Sequence, residues 1–386
     1  MKIAIVHDYI KEYGGAERVL EALCELYPDA PIYTSFYQKD SVAYEKFKHR
    51  KIITSWVHVI PFFATKLHSP LRFLAPFIWN SFDFSSYDVV ITSASWYITK
   101  GVLRSKESRA KSVGQDSKGK GPIEICYCHT PPRWLYGYAT SIEWQKLWPV
   151  RLYGILIGHF MRQYDHNAAQ KVDYFIANSK ETKARIKKFY RRDSEVIYPP
   201  VVLQDSRIKI KDSRIKRDYY FIVSRLVGGK GLGLAIEAAN RLNIKLKIAG
   251  ARSGYSSVYE SLSKKAKDNI EFLGRVSDEE LVGFYSNAKA FLALARDEDF
   301  GITPVEAMMC GTPVIAYYGG GYKETVVNGV TGVFFKEATA ESLIEAIKKF
   351  EKGKFDPEKC RKQAEKFSKE RFKREIKNFV SDKTKQ

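Results

Sequence analysis

Two glutamates on either side of a glycine and a helix-start pattern form the most informative chemical signal in this sequence. Glu298 follows a predicted buried strand, and Thr303-Pro304 is typical of the N-cap and first position of a helix that contains Glu306. Backbone amides and the helix dipole at such a start attract anions. The candidate anion-binding amides are those of Gly301, Ile302 and Thr303.

Both carboxylates also have other interpretations. Glu306 stands three positions after Thr303, which is the spacing of a capping box. Glu298 is harder to explain structurally, because it lies beyond the carboxyl end of a strand, where α/β sheets bind ligands. The acidic run Asp297-Glu298-Asp299 could instead hold a divalent metal. Because the adjacent helix start could itself neutralise a diphosphate, we expect no metal.

Further candidates are cations, a histidine and a glycine that follow predicted strands. Arg225 and Lys230 frame the glycine-rich residues 228–233, and two cations beside free amides suit a diphosphate. A solvated basic loop is the alternative. His129 ends another strand and could bond a phosphate or a sugar hydroxyl, or be structural. Gly15 follows the first strand, where a glycine lets the backbone approach a ligand closely.

Two series of strands alternating with helices must position these residues. The first series has predicted strands at residues 2–6, 87–92, 124–128, 174–177 and 195–198. The second has them at residues 219–224, 246–249, 270–272, 290–294 and 313–316. Such alternation indicates parallel sheets that are covered on both faces. We therefore predict an α/β fold with two doubly wound, Rossmann-like domains.

A proline pair marks the boundary between the two series. Pro199-Pro200 stops regular strand pairing, and the highly charged residues 205–217 follow it. We predict an N-terminal domain at 1–198 and a C-terminal domain at 199–365. Residues 357–380 have a basic amphipathic helical pattern. A C-terminal helix at about 366–386 is expected to pack back on the first domain.

The composition excludes several classes of protein. Of the 386 residues, 45% are hydrophobic and 28% charged, as in globular proteins. Five scattered cysteines argue against a disulfide framework, and Cys126 and Cys128 beside His129 lack the further ligands of a zinc site. The N-terminus does not resemble a signal peptide, and no apolar run reaches transmembrane length. We therefore expect a cytoplasmic protein.

The net charge of +20 either keeps the protein soluble or indicates a polyanionic partner. Residues 56–82 contain seven Phe and Trp and no acid, which suits either a membrane interface or the buried core of the first domain. A basic helix at 180–192 would add attraction to anionic lipid. We hypothesise a peripheral protein on the cytoplasmic face of the membrane.

Together these motifs resemble family-four retaining glycosyltransferases of the GT-B fold, and the likeness covers nearly the whole chain. It rests on Gly14-Gly15, Ser224-Arg225-Leu226 with Lys230-Gly231, Gly274-Arg275-Val276, the pair Glu298 and Glu306, and residues 306–316. Residues 126–133 and 298–301 are similar to mannosyltransferases that build surface polysaccharides and glycolipids.

The resemblance implies a role for each matching residue. Arg225 and Lys230 would neutralise the donor diphosphate, and Gly15 would cradle it from the first domain. Glu298 would contact the transferred sugar, and His129 would lie near the reacting centre. The ribose and base would be bound by Glu306, Gly274 and Val276.

The resemblance implies that a hexose, namely the mannose of GDP-mannose, is moved to a polysaccharide or lipid-linked saccharide. The N-terminal domain would be the acceptor side, the C-terminal domain would bind the nucleotide sugar, and the donor would lie in the cleft between them. The anomeric configuration is retained, and neither a metal nor another cofactor takes part. The loop at residues 100–120 is longer than is usual in this family, so the resemblance does not identify the acceptor-binding residues. The alternatives are a nucleic-acid-binding protein, for which the sequence has no recognised motif, and a nucleotide-sugar epimerase of similar shape. We expect no nucleic-acid partner.

Overall fold

The computed structural model describes residues 1–103, 121–138, 148–203, 217–226, 229–250 and 257–385. Contacts divide the chain into two units. The first contains Met1–Tyr138, Trp144–Pro200 and Lys369–Gln386, and the second consists mainly of Val201–Ser368. The chain therefore enters the second unit directly after the proline pair. Most of the charged residues 205–217, most of the loop at 100–120, and Gly228 lie outside the described residues.

Seven parallel strands form the sheet of the first unit. In chain order they are β1 (Ile3–His7), β2 (Ile32–Thr34), β3 (Ile52–Thr54), β4 (Val89–Ala94), β5 (Ile123–Cys128), β6 (Tyr174–Ala177) and β7 (Glu195–Val196). Their spatial order is β3-β2-β1-β4-β5-β6-β7. The described α-helices before the second unit are α1 (Gly15–Leu26), α2 (Val42–Phe47), α3 (Ala75–Trp79), α4 (Trp148–Lys171) and α5 (Lys180–Tyr190).

Both faces of this sheet are buried, as alternate residues of β1 show. Ile5 belongs to an apolar cluster with Leu20 of α1. Ala4 and Val6 point the other way, into a second cluster that contains Trp79. Successive side chains of a strand face opposite sides of the sheet, and a parallel sheet covered on both sides therefore has continuously apolar strands.

Six parallel strands form the sheet of the second unit. They are β8 (Tyr219–Val223), β9 (Lys245–Ala249), β10 (Ile270–Gly274), β11 (Ala288–Ala293), β12 (Val314–Tyr317) and β13 (Gly332–Phe335), in the spatial order β10-β9-β8-β11-β12-β13. Its described helices are α6 (Leu232–Leu242), α7 (Ser257–Lys265), α8 (Asp278–Ser286), α9 (Ile302–Met309), α10 (Tyr322–Thr325), α11 (Ala340–Lys352) and α12 (Pro357–Glu365). The predicted α/β class with two parallel-sheet units is confirmed.

The last helix, α13 (Lys369–Lys385), returns to the first unit. Phe372 and Ile376 lie in the same apolar cluster as Leu20, and Lys369 Nζ donates to Glu25 of α1 over 2.9 Å. The helical pattern at 357–380 is therefore two helices rather than one. Residues 366–368 separate the two helices, and there Phe367 O accepts from Val201 N–H over 2.9 Å.

The aromatic residues 56–82 are divided between core and surface. Phe63 and Trp79 are fully buried, whereas Trp56, Phe62 and Phe77 are exposed. Short helical turns at Trp56–Val59, Phe63–Leu67 and Arg72–Leu74 connect them. The buried interpretation thus holds for a large part of this segment. Within the described ranges, no helix has both the length and the apolar character needed to cross a bilayer.

Candidate active site

In each sheet the strand order reverses at one topological switch point, which lies between β1 and β4 in the first unit and between β8 and β11 in the second. These strands are direct neighbours, and from each pair the chain continues to opposite edges of its sheet. Open α/β sheets bind ligands beyond the carboxyl ends of the strands at such a point. Binding residues are therefore expected in the loops that follow these four strands.

Lys230 and Glu298 form an ion pair at the switch point between β8 and β11 of the second unit. Lys230 lies in the loop after β8 and Glu298 in the loop after β11, and Lys230 Nζ donates to Glu298 Oε2 over 2.9 Å. Their side chains are 27% and 23% exposed, so the pair is accessible but only partly screened by water. The structure thus brings together a cation predicted to bind phosphate and a carboxylate predicted to bind sugar.

Consecutive glycines hold the backbone of Glu298. Gly320 and Gly321 follow β12, and Gly321 N–H donates to Glu298 O over 2.9 Å. Gly320 has φ +54°, and a Cβ atom there would lie 2.1 Å from the same carbonyl oxygen. Only glycine permits this approach without displacing the loop. These glycines were not predicted as site residues, although the run Gly319-Gly320-Gly321 directly after a predicted strand was a usable signal.

Helix α9 begins earlier than the sequence predicts. Its N-cap is Gly301, with φ +88°, so Thr303 and Pro304 are its second and third residues. The predicted N-cap at Thr303 and first position at Pro304 are therefore wrong. A Cβ atom at position 301 would lie 2.7 Å from the Tyr322 ring, which explains why a glycine occupies the turn. The amides of Ile302 and Thr303 lie in the first turn, where a helix offers no acceptor of its own.

Glu306 is buried within α9. Its side chain is 2% exposed, and its Oε2 atom accepts a hydrogen bond from the hydroxyl of buried Tyr285 over 2.8 Å. Because Gly301 is the N-cap, Glu306 does not occupy the third helical position that a capping box requires. The capping-box interpretation is wrong. Ribose binding by Glu306 stays a prediction.

The other predicted residues of the second unit lie at the same, carboxyl end of its sheet. Arg225 is exposed in the loop after β8. Gly274 ends β10 with φ +70°, and its carbonyl accepts from Gly250 N–H over 2.7 Å. Val276 follows and is half-buried. Because β8, β9 and β10 are parallel neighbours, these loops share one end of the sheet with the ion pair. The diphosphate and base roles stay predictions.

A chain of buried hydrogen bonds supports His129 in the first unit. His129 Nε2 lies 2.8 Å from Ser93 Oγ, which lies 3.0 Å from His7 Nδ1. His7 Nε2 lies 3.5 Å from Glu17 Oε1. The residues meet because β1, β4 and β5 are neighbouring parallel strands. The sequence analysis singled out only His129, although each of these three strands has a polar residue at or next to its carboxyl end.

The burial of His129 sets its charge. Burial, and secondarily the neighbouring His7, lowers the pKa of His129 to about 3, so its ring is neutral at pH 7. A neutral imidazole has one nitrogen that donates a hydrogen bond and one that accepts, which suits contact with a hydroxyl group.

Gly15 is the first residue of α1, and a hydrogen bond between the N-cap residue and a side chain of the first turn holds the start of this helix. The N-cap is Gly14, whose N–H donates to Glu17 Oε2 over 2.9 Å. Glu17 thus contacts both the start of α1 and His7. Diphosphate binding by Gly15 stays a prediction.

The side chains considered as metal ligands have other surroundings. Cys126 and Cys128 are buried thiols, and burial raises the pKa of Cys126 well above its usual value, which disfavours the thiolate that zinc binds. Glu298 is paired with Lys230. Among the described residues, no group of three or more His, Cys, Asp or Glu side chains is placed to hold a metal ion.

Curated relatives share parts of this chain. The alpha-1,3/1,6-mannosyltransferase ALG2 of Homo sapiens is 28% identical over 258 residues, which are 58% of this chain and 58% of that protein. The GDP-mannose-dependent monoacylated alpha-(1-6)-phosphatidylinositol monomannoside mannosyltransferase of Corynebacterium glutamicum is 33% identical over 136 residues, 32% of this chain and 35% of that protein. The match thus spans less than two thirds of each relative's length.

Solved structures share the fold over the full chain. Anabaena HepE in complex with UDP has a TM-score of 0.69 and 18% identity, covering 99% of this chain and 100% of that one. This likeness confirms the GT-B fold. The family model for glycosyl transferases group 1 matches residues 205–367. The model for Glycosyltransferase Family 4 matches residues 13–205, half of the 386 residues, and the chain therefore belongs to Glycosyltransferase Family 4.

Proposed function

We propose that this protein is a retaining glycosyltransferase that moves mannose from GDP-mannose to a polysaccharide or lipid-linked saccharide. The observation that carries this proposal is the Lys230–Glu298 ion pair. It lies at the switch point of the second sheet, next to the glycine-capped start of α9. A diphosphate needs cations and free amides, and a sugar needs a hydrogen-bond acceptor. Both occur there within a few residues.

The electrostatics of this site support bond cleavage at the anomeric carbon. When the bond to phosphate breaks, negative charge builds on the leaving diphosphate. Lys230, Arg225 and the first amides of α9 would stabilise that charge. Glu298 would then hold the hydroxyls of the transferred sugar, and Glu306, Gly274 and Val276 would bind the ribose and base.

The first unit would contribute to the same reaction through His129 and Gly15. The neutral ring of His129 would bond a hydroxyl near the reacting centre. Gly15, at the start of α1, would approach the diphosphate through its backbone. These roles are supported by the position of both residues at the carboxyl end of the first sheet.

No metal or other cofactor is needed in this proposal, because cations and helix amides already balance the diphosphate. Transfer should therefore persist in excess EDTA. Complete loss of transfer with EDTA, restored by manganese or magnesium, would instead establish a role for a metal near Asp297-Glu298-Asp299.

The acceptor would place the enzyme at the cytoplasmic face of a membrane. The relative from Corynebacterium glutamicum is named for a phosphatidylinositol-linked acceptor. A net charge of +20 favours a surface that presents anionic headgroups.

A donor screen tests the proposal directly. Thermal unfolding would be followed with GDP-mannose, GDP, UDP-glucose and UDP, since HepE is a UDP-bound neighbour. A ligand at a hundred times its Kd stabilises a protein by roughly 2.7 kcal/mol. Stabilisation by the GDP compounds alone is expected, followed by transfer of labelled mannose to saccharide acceptors with retained anomeric configuration. Stabilisation by UDP compounds alone would exclude GDP-mannose, and no stabilisation by any donor would overturn the proposal.

A further inference from the structure

Helix α4 of the first unit has an apolar face that nothing in the described part of the chain covers. Trp148 is 76% exposed and Phe160 69% exposed, and Leu152, Ile155 and Leu156 between them are also exposed. At 100° per residue these five side chains fall on one side of the helix, with the exposed His159 among them. Exposed apolar side chains scattered singly need no explanation, but a continuous row of them indicates a binding surface.

The opposite side of α4 is firmly held in the first unit. Met161 and Ala168 belong to its apolar core. Asp165 is fully buried, where its carboxylate accepts from the Lys100 ammonium and, over 2.6 Å, from the Tyr136 hydroxyl. The helix therefore has apolar side chains on both sides, and among the described residues only one side packs into the first unit. The second side is thus a candidate binding surface.

The aromatic segment at 56–82 extends this surface. The Tyr153 hydroxyl donates to Pro70 O, and the Tyr153 ring lies edge-on to Phe73 with centroids 6.5 Å apart. Phe77, four residues after Phe73, is exposed. Residues 70–77 of this segment and the α4 face thus lie side by side.

The charged side chains of these two segments are all cations. Neither residues 148–164 nor residues 56–82 contain an aspartate or glutamate. Arg151 lies beside the apolar row of α4 and is exposed, and exposed Lys66 lies over the Phe62 ring at 5.7 Å. Cations next to aromatic and aliphatic side chains are typical of helices that lie in a lipid interface.

We infer that the exposed face of residues 148–160 binds an anionic lipid bilayer, with α4 lying parallel to the membrane plane. Thirteen helical residues extend about 20 Å, enough for a flat interfacial contact. A bilayer provides apolar depth for the row and anionic headgroups for the cations. A second copy would instead bring like charges together with no acid to compensate them. The inference deepens the proposed function and rests on its membrane location.

Flotation with lipid vesicles tests the inference on the full chain. The vesicles are phosphatidylcholine alone and phosphatidylcholine mixed with phosphatidylglycerol, at low salt. One variant combines Ile155→Ser and Leu156→Ser, and a second is Arg151→Gln. The control combines Val327→Ser and Val330→Ser, which removes two exposed apolar side chains from the second unit.

We expect the double variant of α4 to bind vesicles about tenfold or more weakly, because it loses apolar area that would be buried in lipid. Arg151→Gln should weaken binding about fivefold with phosphatidylglycerol and leave binding to phosphatidylcholine unchanged. The control should float like the wild type. Both α4 variants should keep the thermal stabilisation by the donor, since none of the three residues is among those proposed to bind the donor.

Three results would overturn the inference. The wild type could stay unbound with both vesicle types, or the control could lose as much binding as the α4 variant. Alternatively, sedimentation could show a dimer that only the α4 variant disrupts, without any flotation, which would make the face a contact between copies. If the wild type floats but no nucleotide sugar stabilises it, the proposed glycosyl transfer fails while this inference stands.

Discussion

Lys230 Nζ and Glu298 Oε2 lie 2.9 Å apart, so each charged group holds the other at the switch point between β8 and β11. A diphosphate has more negative charge than one carboxylate and would compete for the ammonium. Glu298 would then be released toward the hydroxyls of the sugar attached to that diphosphate. The ion pair would therefore link recognition of the two halves of a nucleotide sugar.

Removing the cations should weaken donor binding. Lys230→Ala and Arg225→Ala should each raise the donor Kd about tenfold to a hundredfold, because a hydrogen bond to a charged group contributes roughly 1.5–3 kcal/mol. Isothermal titration with the nucleoside diphosphate measures this. Lys245→Ala is a matched control, since Lys245 is an exposed cation at the opposite end of the sheet and pairs with Asp218. Unchanged affinity in both test variants would place the phosphate site elsewhere.

Glu298 should matter for turnover and little for folding. Glu298→Ala and Glu298→Gln should lower the transfer rate at least about a hundredfold, because the charged acceptor for the sugar is lost. The pair with Lys230 is partly exposed, so its loss should cost at most about 1 kcal/mol of unfolding free energy. Rate assays and urea unfolding of the same preparations check both statements. Near-normal turnover by a folded Glu298→Ala protein contradicts a sugar contact.

The glycine behind Glu298 should be required for activity. Gly320→Ala would place Cβ 2.1 Å from Glu298 O in addition to straining a positive φ, so the Glu298 loop must move. Gly329→Ala is the matched control, because Gly329 has φ +76° and no atom within 4 Å of the added Cβ. Both variants should lose about 1–2 kcal/mol of stability through strain, and Gly320→Ala more. Only Gly320→Ala should lose transfer, and equal activity in the two would refute this role of the glycine.

Burial of a neutral His129 should make stability depend on pH. Its pKa is about 3 in the folded protein and near 6.5 when unfolded, so between these values the unfolded chain binds more protons. The free energy of unfolding therefore falls as pH drops from 6.5 toward 3, by up to about 1.4 kcal/mol per pH unit from this group. His129→Asn lacks this contribution, so the stability difference between wild type and variant should become smaller from pH 7 to pH 5. Urea unfolding at both pH values measures it, and a constant difference would contradict the low pKa.

The sequence predicts elements well where apolar runs are distinct. Strand β6 was predicted residue for residue, and the strand–glycine–helix order of both units is confirmed. Strands β2 and β3 were missed, since three residues form too short a pattern to recognise. Strand β13 was also missed, although its Val333-Phe334-Phe335 run was a usable signal. Helix α4 was not singled out, because apolar residues on all its sides give no clear helical period.

The candidate site was less predictable where it depends on tertiary contacts. Thr303 is a better N-cap than Gly301 by local preference, but the Tyr322 ring leaves room only for a glycine in that turn. His7, Ser93 and His129 are far apart in sequence and meet only through the order of the strands. A polar residue at the end of one strand is a weak signal, and its meaning appears when the neighbouring strands are known.

The return of α13 to the first unit has a consequence for biosynthesis. A ribosome releases the chain from its N-terminus, and domains generally fold as they emerge. Phe372 and Ile376, which pack in the same apolar cluster as α1, are translated only after the whole second unit. Until then they cannot cover the apolar face of α1. During that interval the nascent first unit presents an unfilled groove beside Leu20, where a chaperone would bind. Premature termination before Lys369 would therefore damage the first unit, although every residue of the second had been made.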